Sequence, residues 1–156
     1  TVLGNSGANN VQFQLFGVGA NRTLSSYDLL RSDDTDTSKA LADGVMEMHA
    51  LYGLDTTNDG IFDSWKAPDA TGYDISSMLA SRDKMRQVVA VRLGLVLRSA
   101  LLEKEIVSTQ LPEMFTGAGT ANVRPAVALT GDARRYRYRV VEFTVPLRNV
   151  LLLPAS

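Results

Sequence analysis

The sequence contains no cysteine, which excludes disulfide bonds and cysteine-ligated zinc and leaves the redox compartment open. Histidine occurs once, at His49, and tryptophan once, at Trp65. There is no G-x-S-x-G elbow, so a His–Asp–Ser relay would lack a nucleophile on a defined turn. No apolar run approaches the roughly 20 residues of a membrane-spanning helix. Neither sign of charge dominates, and a net charge of -1 gives no general electrostatic case for DNA, RNA or anionic membranes. Gly4-Asn5-Ser6-Gly7 and Gly117-Ala118-Gly119 lack the lysine and the strand–helix context of phosphate loops, and read as linkers. The chain starts at Thr1 without an initiator methionine or a targeting segment, as a fragment or a processed ectodomain would.

What is present fits a single globular domain over residues 1–156. Hydrophobic residues at 45% and charged residues at 21% are ordinary for a folded chain of a length that buries a sizeable core. Residues 1–10, small and polar, are expected to form a flexible start. Val11, Phe13 and Leu15 then alternate with Gln12 and Gln14, predicting a strand to about Val18. Gly19-Ala20-Asn21-Arg22 suits a hairpin turn into a second strand over Thr23 to Leu30, and Ser32 to Asp36 reads as an acidic loop. Thr37 or Ser38 is placed to cap a short helix over Lys39 to Asp43, with Gly44 as its stop.

Val45 to Tyr52 predicts a strand with Met46, Met48, Ala50 and Tyr52 on one side and Glu47 and His49 on the other. A long loop follows from Leu54 to about Tyr73. After Asp74, Ile75, Met78, Leu79, Arg82 and Met85 recur as in a helix of about three turns. Val88 to Ser99 fits either periodicity, but its valine density and Gly94 favour a central strand. Val89, Val91, Leu93, Leu95 and Leu97 would be its core face. A terminal strand is expected at about Tyr136 to Val145, ended by Pro146. The sum is an α+β chain: an antiparallel sheet with one or two short helices.

The sharpest chemical candidate is Asp55-Thr56-Thr57-Asn58-Asp59-Gly60-Ile61-Phe62-Asp63. Counting from Asp55, the side chains of Asp55, Thr57, Asp59 and Asp63 and the carbonyl of Ile61 fall at alternate positions of a calcium loop. Gly60 falls where that loop turns sharply. Lys66 stands where the closing bidentate glutamate belongs, and the flanks do not read as two helices. Calcium capture is one reading; an acidic surface turn is the other.

Arg135, Arg137 and Arg139 alternate with Tyr136, Tyr138 and Val140, which puts cations on one strand face and rings on the other. Single-stranded nucleic acid needs both on one surface. The arginine face therefore reads as solvated or as a protein contact, with no nucleic-acid partner. Trp65 reads as a packing anchor, or as an interface residue if exposed. No nucleophile–base pair is present, so a non-enzymatic protein is expected, requiring no cofactor, with calcium as the one candidate ligand.

Several segments recur in order along the chain: Phe13-Gln14-Leu15-Phe16-Gly17-Val18, Tyr27-Asp28-Leu29-Leu30, Leu41-Ala42-Asp43-Gly44-Val45 and Tyr52-Gly53-Leu54-Asp55. Asp63-Ser64-Trp65, Val91-Arg92-Leu93, Val96-Leu97-Arg98-Ser99 and the closing YRYRVVEFTVPLRN complete the set. Over nearly the whole chain this set resembles the C-terminal region of PilW-like type IV pilus assembly proteins, which are minor pilins.

The resemblance implies a Gram-negative prepilin-like protein whose N-terminal spine helix, missing here, anchors it at the periplasmic face of the inner membrane and later packs in the filament. It implies the pilin plan of spine plus antiparallel sheet, shared with GspJ-type minor pseudopilins. It also implies a role in initiating the filament and forming its tip, with other minor pilins and a tip adhesin as partners, and hence in adhesion and twitching motility. Contact with the membrane is implied only through the missing helix. The alternatives are a type II secretion minor pseudopilin and, from another class, a calcium-binding extracellular adhesion module.

Overall fold

The structure, a computed structural model, describes residues 14–29 and 38–147. The expected flexible start, the beginning of the first strand, the Ser32 to Asp36 loop, and Arg148 and Asn149 lie outside the described residues. The chain forms two compact units, residues 1–46 and 47–156. In the first, β1 (Gln14–Val18), β2 (Thr23–Asp28) and β3 (Lys39–Asp43) make an antiparallel sheet in the order β1-β2-β3. The hairpin turn is where the sequence places it, closed by Arg22 N–H donating to the Gly19 carbonyl at 2.9 Å.

β3 replaces the helix expected over Lys39 to Asp43. It pairs with β2 from Thr23↔Asp43 to Ser26↔Lys39, with a register shift between Leu24 and Ser25. A helix this short fixes several dihedrals for very few hydrogen bonds, whereas the open side of β2 offers a ladder to the same residues. Gly44 does adopt the left-handed conformation, at φ 78, but it turns one strand into the next rather than ending a helix.

The second sheet has the order β5-β4-β6-β9, from β4 (Val45–Leu54), β5 (Ser64–Lys66), β6 (Val88–Arg98) and β9 (Tyr138–Pro146). β5 interrupts the long loop expected after Leu54 and pairs with β4 through Gly53↔Trp65. The expected three-turn helix is two short ones, α1 (Ile75–Ala80) and α2 (Arg82–Arg86). Asp74 caps the first, and Ser81, in extended conformation, ends it and caps the second. Of the apolar residues that suggested one helix, Met78 is buried, while Ile75 and Leu79 are 76% and 72% exposed. The pair β7 (Gln110–Leu111) and β8 (Val127–Ala128) and two short 3-10 helices, Thr120–Asn122 and Gly131–Arg135, complete an α+β architecture. No described helix is long and apolar enough to cross a membrane.

β6 is central, as its composition indicates, and pairs with β9 without a break from Ala90↔Pro146 to Arg98↔Tyr138. Val89 is buried as expected, but from Val91 onward the core face is the opposite of the one expected. Val96 is fully buried and Gly94 is buried, whereas Val91, Leu93, Leu95 and Leu97 are only half-buried. The cause is the segment after β7. Met114 and Phe115, at 0% and 1% exposure, close over Gly94, and a Cβ built there would meet Phe115 Cζ at 2.8 Å and Met114 Sδ at 2.9 Å. On β4, Leu51 and Gly53, on the Glu47 side, are buried, while Met46, Met48, Ala50 and Tyr52 are half-buried. A second apolar cluster of Leu54, Met78 and Val88 draws in Tyr52, Tyr73 and Leu147.

Candidate interaction surface

The Asp55 to Asp63 loop is held by its own carboxylates. Asp55, nearly buried, accepts from the N–H of Gly60 at 2.7 Å, the N–H of Asp59 at 3.2 Å and the hydroxyl of Thr57 at 3.3 Å. Asp59 accepts from Ile61 N–H at 2.8 Å. Asp63 accepts from the hydroxyl and the N–H of Thr56, at 2.6 and 2.7 Å, and these bonds hold its carboxyl below the usual aspartate range. Asn58 and Gly60 supply the left-handed corners, at φ 57 and 84. In this arrangement the Asp55, Asp59 and Asp63 carboxylates each accept from backbone N–H groups of the loop. Among the described residues, no group of three or more His, Asp or Glu side chains is placed to hold a metal ion.

Next to this loop, Trp65 packs at 4.8 Å between centroids on Phe62, and a Cβ on Gly53 would meet its ring at 2.9 Å. The Arg92 guanidinium lies 5.7 Å from the Trp65 ring and 5.8 Å from the Phe115 ring. The same Arg92 pairs with Glu142 at 2.6 Å. The second Glu142 oxygen accepts from the N–H of Phe115 at 2.7 Å. Phe115 is held at φ 63, a conformation rare for a bulky residue. One carboxylate on β9 thus clamps both the covering segment and the central strand.

The arginine-rich run divides where the sequence suggested one continuous strand. Arg135 ends a 3-10 helix, and β9 begins only at Tyr138, so Arg135, Arg137 and Arg139 do not share one strand face. Arg135 donates to the Glu103 carbonyl at 2.7 Å and pairs with Asp132 at 3.4 Å. Arg137, more exposed, pairs with Glu103 at 2.9 Å. Arg139, opposite Leu97 on the half-buried sheet face, is exposed. The rings are used internally: Arg98 stacks 3.9 Å from the Tyr136 centroid, and the Tyr138 hydroxyl donates to the Ala133 carbonyl at 2.9 Å.

What the sequence reading missed is the partner of these arginines, the loop of residues 99–109. It is tied to residues 134–137 by Ser99 N–H to the Arg137 carbonyl, Glu103 N–H to the Arg135 carbonyl, and the Val107 and Ser108 N–H groups to the Arg134 carbonyl, at 2.8–3.0 Å. Ser99 Oγ also accepts from Arg137 N–H at 3.2 Å. These contacts cross more than 25 residues of sequence, and periodicity carries no trace of them. Elsewhere, the lone His49 sits 3.1 Å from Glu47, whose other oxygen pairs with Arg124 across the covering segment.

The family model of the Type IV Pilus-assembly protein W matches residues 8–149. No curated protein and no solved structure matches the chain.

Proposed function

Because the chain belongs to the type IV pilus-assembly protein W family, a family of assembly rather than catalysis, we propose that it is a minor pilin that helps to initiate the filament and form its tip complex. The match over residues 8–149 carries this reading. Its partners are then other minor pilins and a tip adhesin, and its place is the periplasmic face of the inner membrane and the pilus tip. The clamp of Arg92, Glu142 and Phe115 suits such work, because a sheet braced by half-buried, charge-assisted bonds presents its loops in one arrangement before a partner arrives. Arg137 and Arg139 supply an exposed basic flank for contact with an acidic patch on a neighbouring subunit, with Arg135 positioning Glu103 behind them.

The test is a strain lacking this protein. Surface pili and twitching should be lost or sharply reduced and should return with the wild-type gene in trans. Pilus number and motility unchanged by the deletion would overturn the assembly role.

A further inference from the structure

The loop of residues 99–109 has an unusual surface for a segment so well braced. Leu101 is 78% exposed, Leu102 44%, Ile106 54% and Val107 37%, although hydrogen bonds fix the backbone at Ser99, Glu103, Val107 and Ser108. Aliphatic side chains left this exposed cost solubility and present a ready-made anchor for another surface. Their surroundings are basic. Glu103 is neutralised by Arg137 and Asp132 by Arg135, which leaves Lys104, Arg134 and Arg139 against Glu105 in the loop and the segment to which it is tied. This local excess of positive charge stands out in a chain whose net charge is -1.

We propose that the aliphatic loop Leu101 to Val107, with the cations of its own and the adjoining segment, Lys104, Arg134 and Arg139, is a protein-docking site that inserts into an apolar cleft edged by carboxylates on another pilus subunit. The proposal rests on the assembly reading and names the contact through which that assembly proceeds. Charge complementarity selects an acidic rim on the partner. A protein fits better than an anionic membrane, because a cleft can set carboxylates opposite the cations and donors opposite Glu103 and Glu105, whereas a lipid surface presents one charge sign to all of them. Preset loop geometry lowers the ordering cost of binding.

The full chain is titrated against purified soluble domains of the other pilus subunits of the same organism, and against vesicles of phosphatidylglycerol and phosphatidylethanolamine. At least one subunit should bind. The double variant Leu101→Ser/Ile106→Ser should weaken that binding about 10-fold or more. Arg139→Glu should slow association about 3- to 10-fold at low salt, a gap that closes as salt rises. Melting temperatures should match the parent, since these side chains are exposed.

Undiminished binding by the double variant overturns the docking site while leaving the assembly role intact. Failure of every subunit to bind overturns it as well, as does loop-dependent binding to the vesicles in place of any subunit. Normal piliation in the deletion strain instead overturns the assembly role itself.

Discussion

Removing the Glu142 carboxylate tests whether one side chain joins the covering segment to the sheet. In Glu142→Ala the Phe115 N–H, buried beneath a residue of 1% exposure, loses its acceptor, at a cost of about 1–3 kcal/mol. Arg92 loses a charge-assisted bond of about 1.5–3 kcal/mol, discounted because its side chain is 22% exposed and partly rehydrates. The expected total is about 2–4 kcal/mol. Glu142→Gln keeps an oxygen for Phe115 and loses the ion pair, so it should cost about 1–2 kcal/mol. Urea unfolding followed by the fluorescence of Trp65 reads both, since that single tryptophan lies 5.7 Å from the Arg92 guanidinium. A double-mutant cycle with Arg92→Ala should return a coupling above about 0.5 kcal/mol. Equal losses for the Ala and Gln variants, or an Ala variant within about 0.5 kcal/mol of the parent, would refute the clamp.

Val96→Ala, at a fully buried position, should destabilise by about 2 kcal/mol and exceed Leu95→Ala, although the latter removes more carbon. The reverse order in urea melts would restore the face that the sequence favours as core. The Asp74 carboxyl is held well below the usual aspartate range, first by the Ser76 hydroxyl and then by the Ser77 hydroxyl and N–H. Because the folded value is depressed, its contribution is present above about pH 4 and lost as acid drives the pH down through the folded value. Asp74→Asn should therefore flatten stability against pH in that acid window, and an unchanged acid limb would contradict it. Calcium capture by Asp55, Thr57, Asp59, Ile61 and Asp63 remains a proposal with its own assay. It requires a rise of about 2.7 kcal/mol at calcium one hundred times its dissociation constant, most of it removed by Asp59→Ala. Each of those carboxylates keeps lone pairs beyond the loop N–H bonds it accepts, and no shift in melting at millimolar calcium would reduce the motif to a turn.

The α+β class was legible because its strongest elements have local causes. The valine-rich run of β6 resists helix, Pro146 ends β9, and Asp74 caps α1. β3 was not legible, since Lys39 to Asp43 becomes a strand only because β2 lies beside it. The core face of β6 was misread because every odd position from Val89 to Leu97 is aliphatic, while the even face carries Arg92, Gly94 and Arg98. Nothing near in sequence announces that Met114 and Phe115 will cover Gly94, or that Arg92 will meet Glu142 fifty residues on. The arginines were visible as residue types. Their placement around residues 99–109 depends on hydrogen bonds to a segment more than 25 residues away.

The missing side chain at Gly94 has a historical consequence. Position 94 and position 115 are two halves of one volume, so a lineage that gains a methyl group at one must surrender carbon at the other. Relatives should therefore divide into a glycine-with-aromatic class and a larger-with-smaller class, with few mixtures, because the intermediate is overpacked by about 1–3 kcal/mol. The same rule is open to the bench. Gly94→Ala alone should destabilise, and adding Phe115→Leu, which removes the ring atoms 2.8 and 3.0 Å from the new Cβ, should recover part of the loss. Strictly additive losses in that pair would mean that the two positions evolve independently.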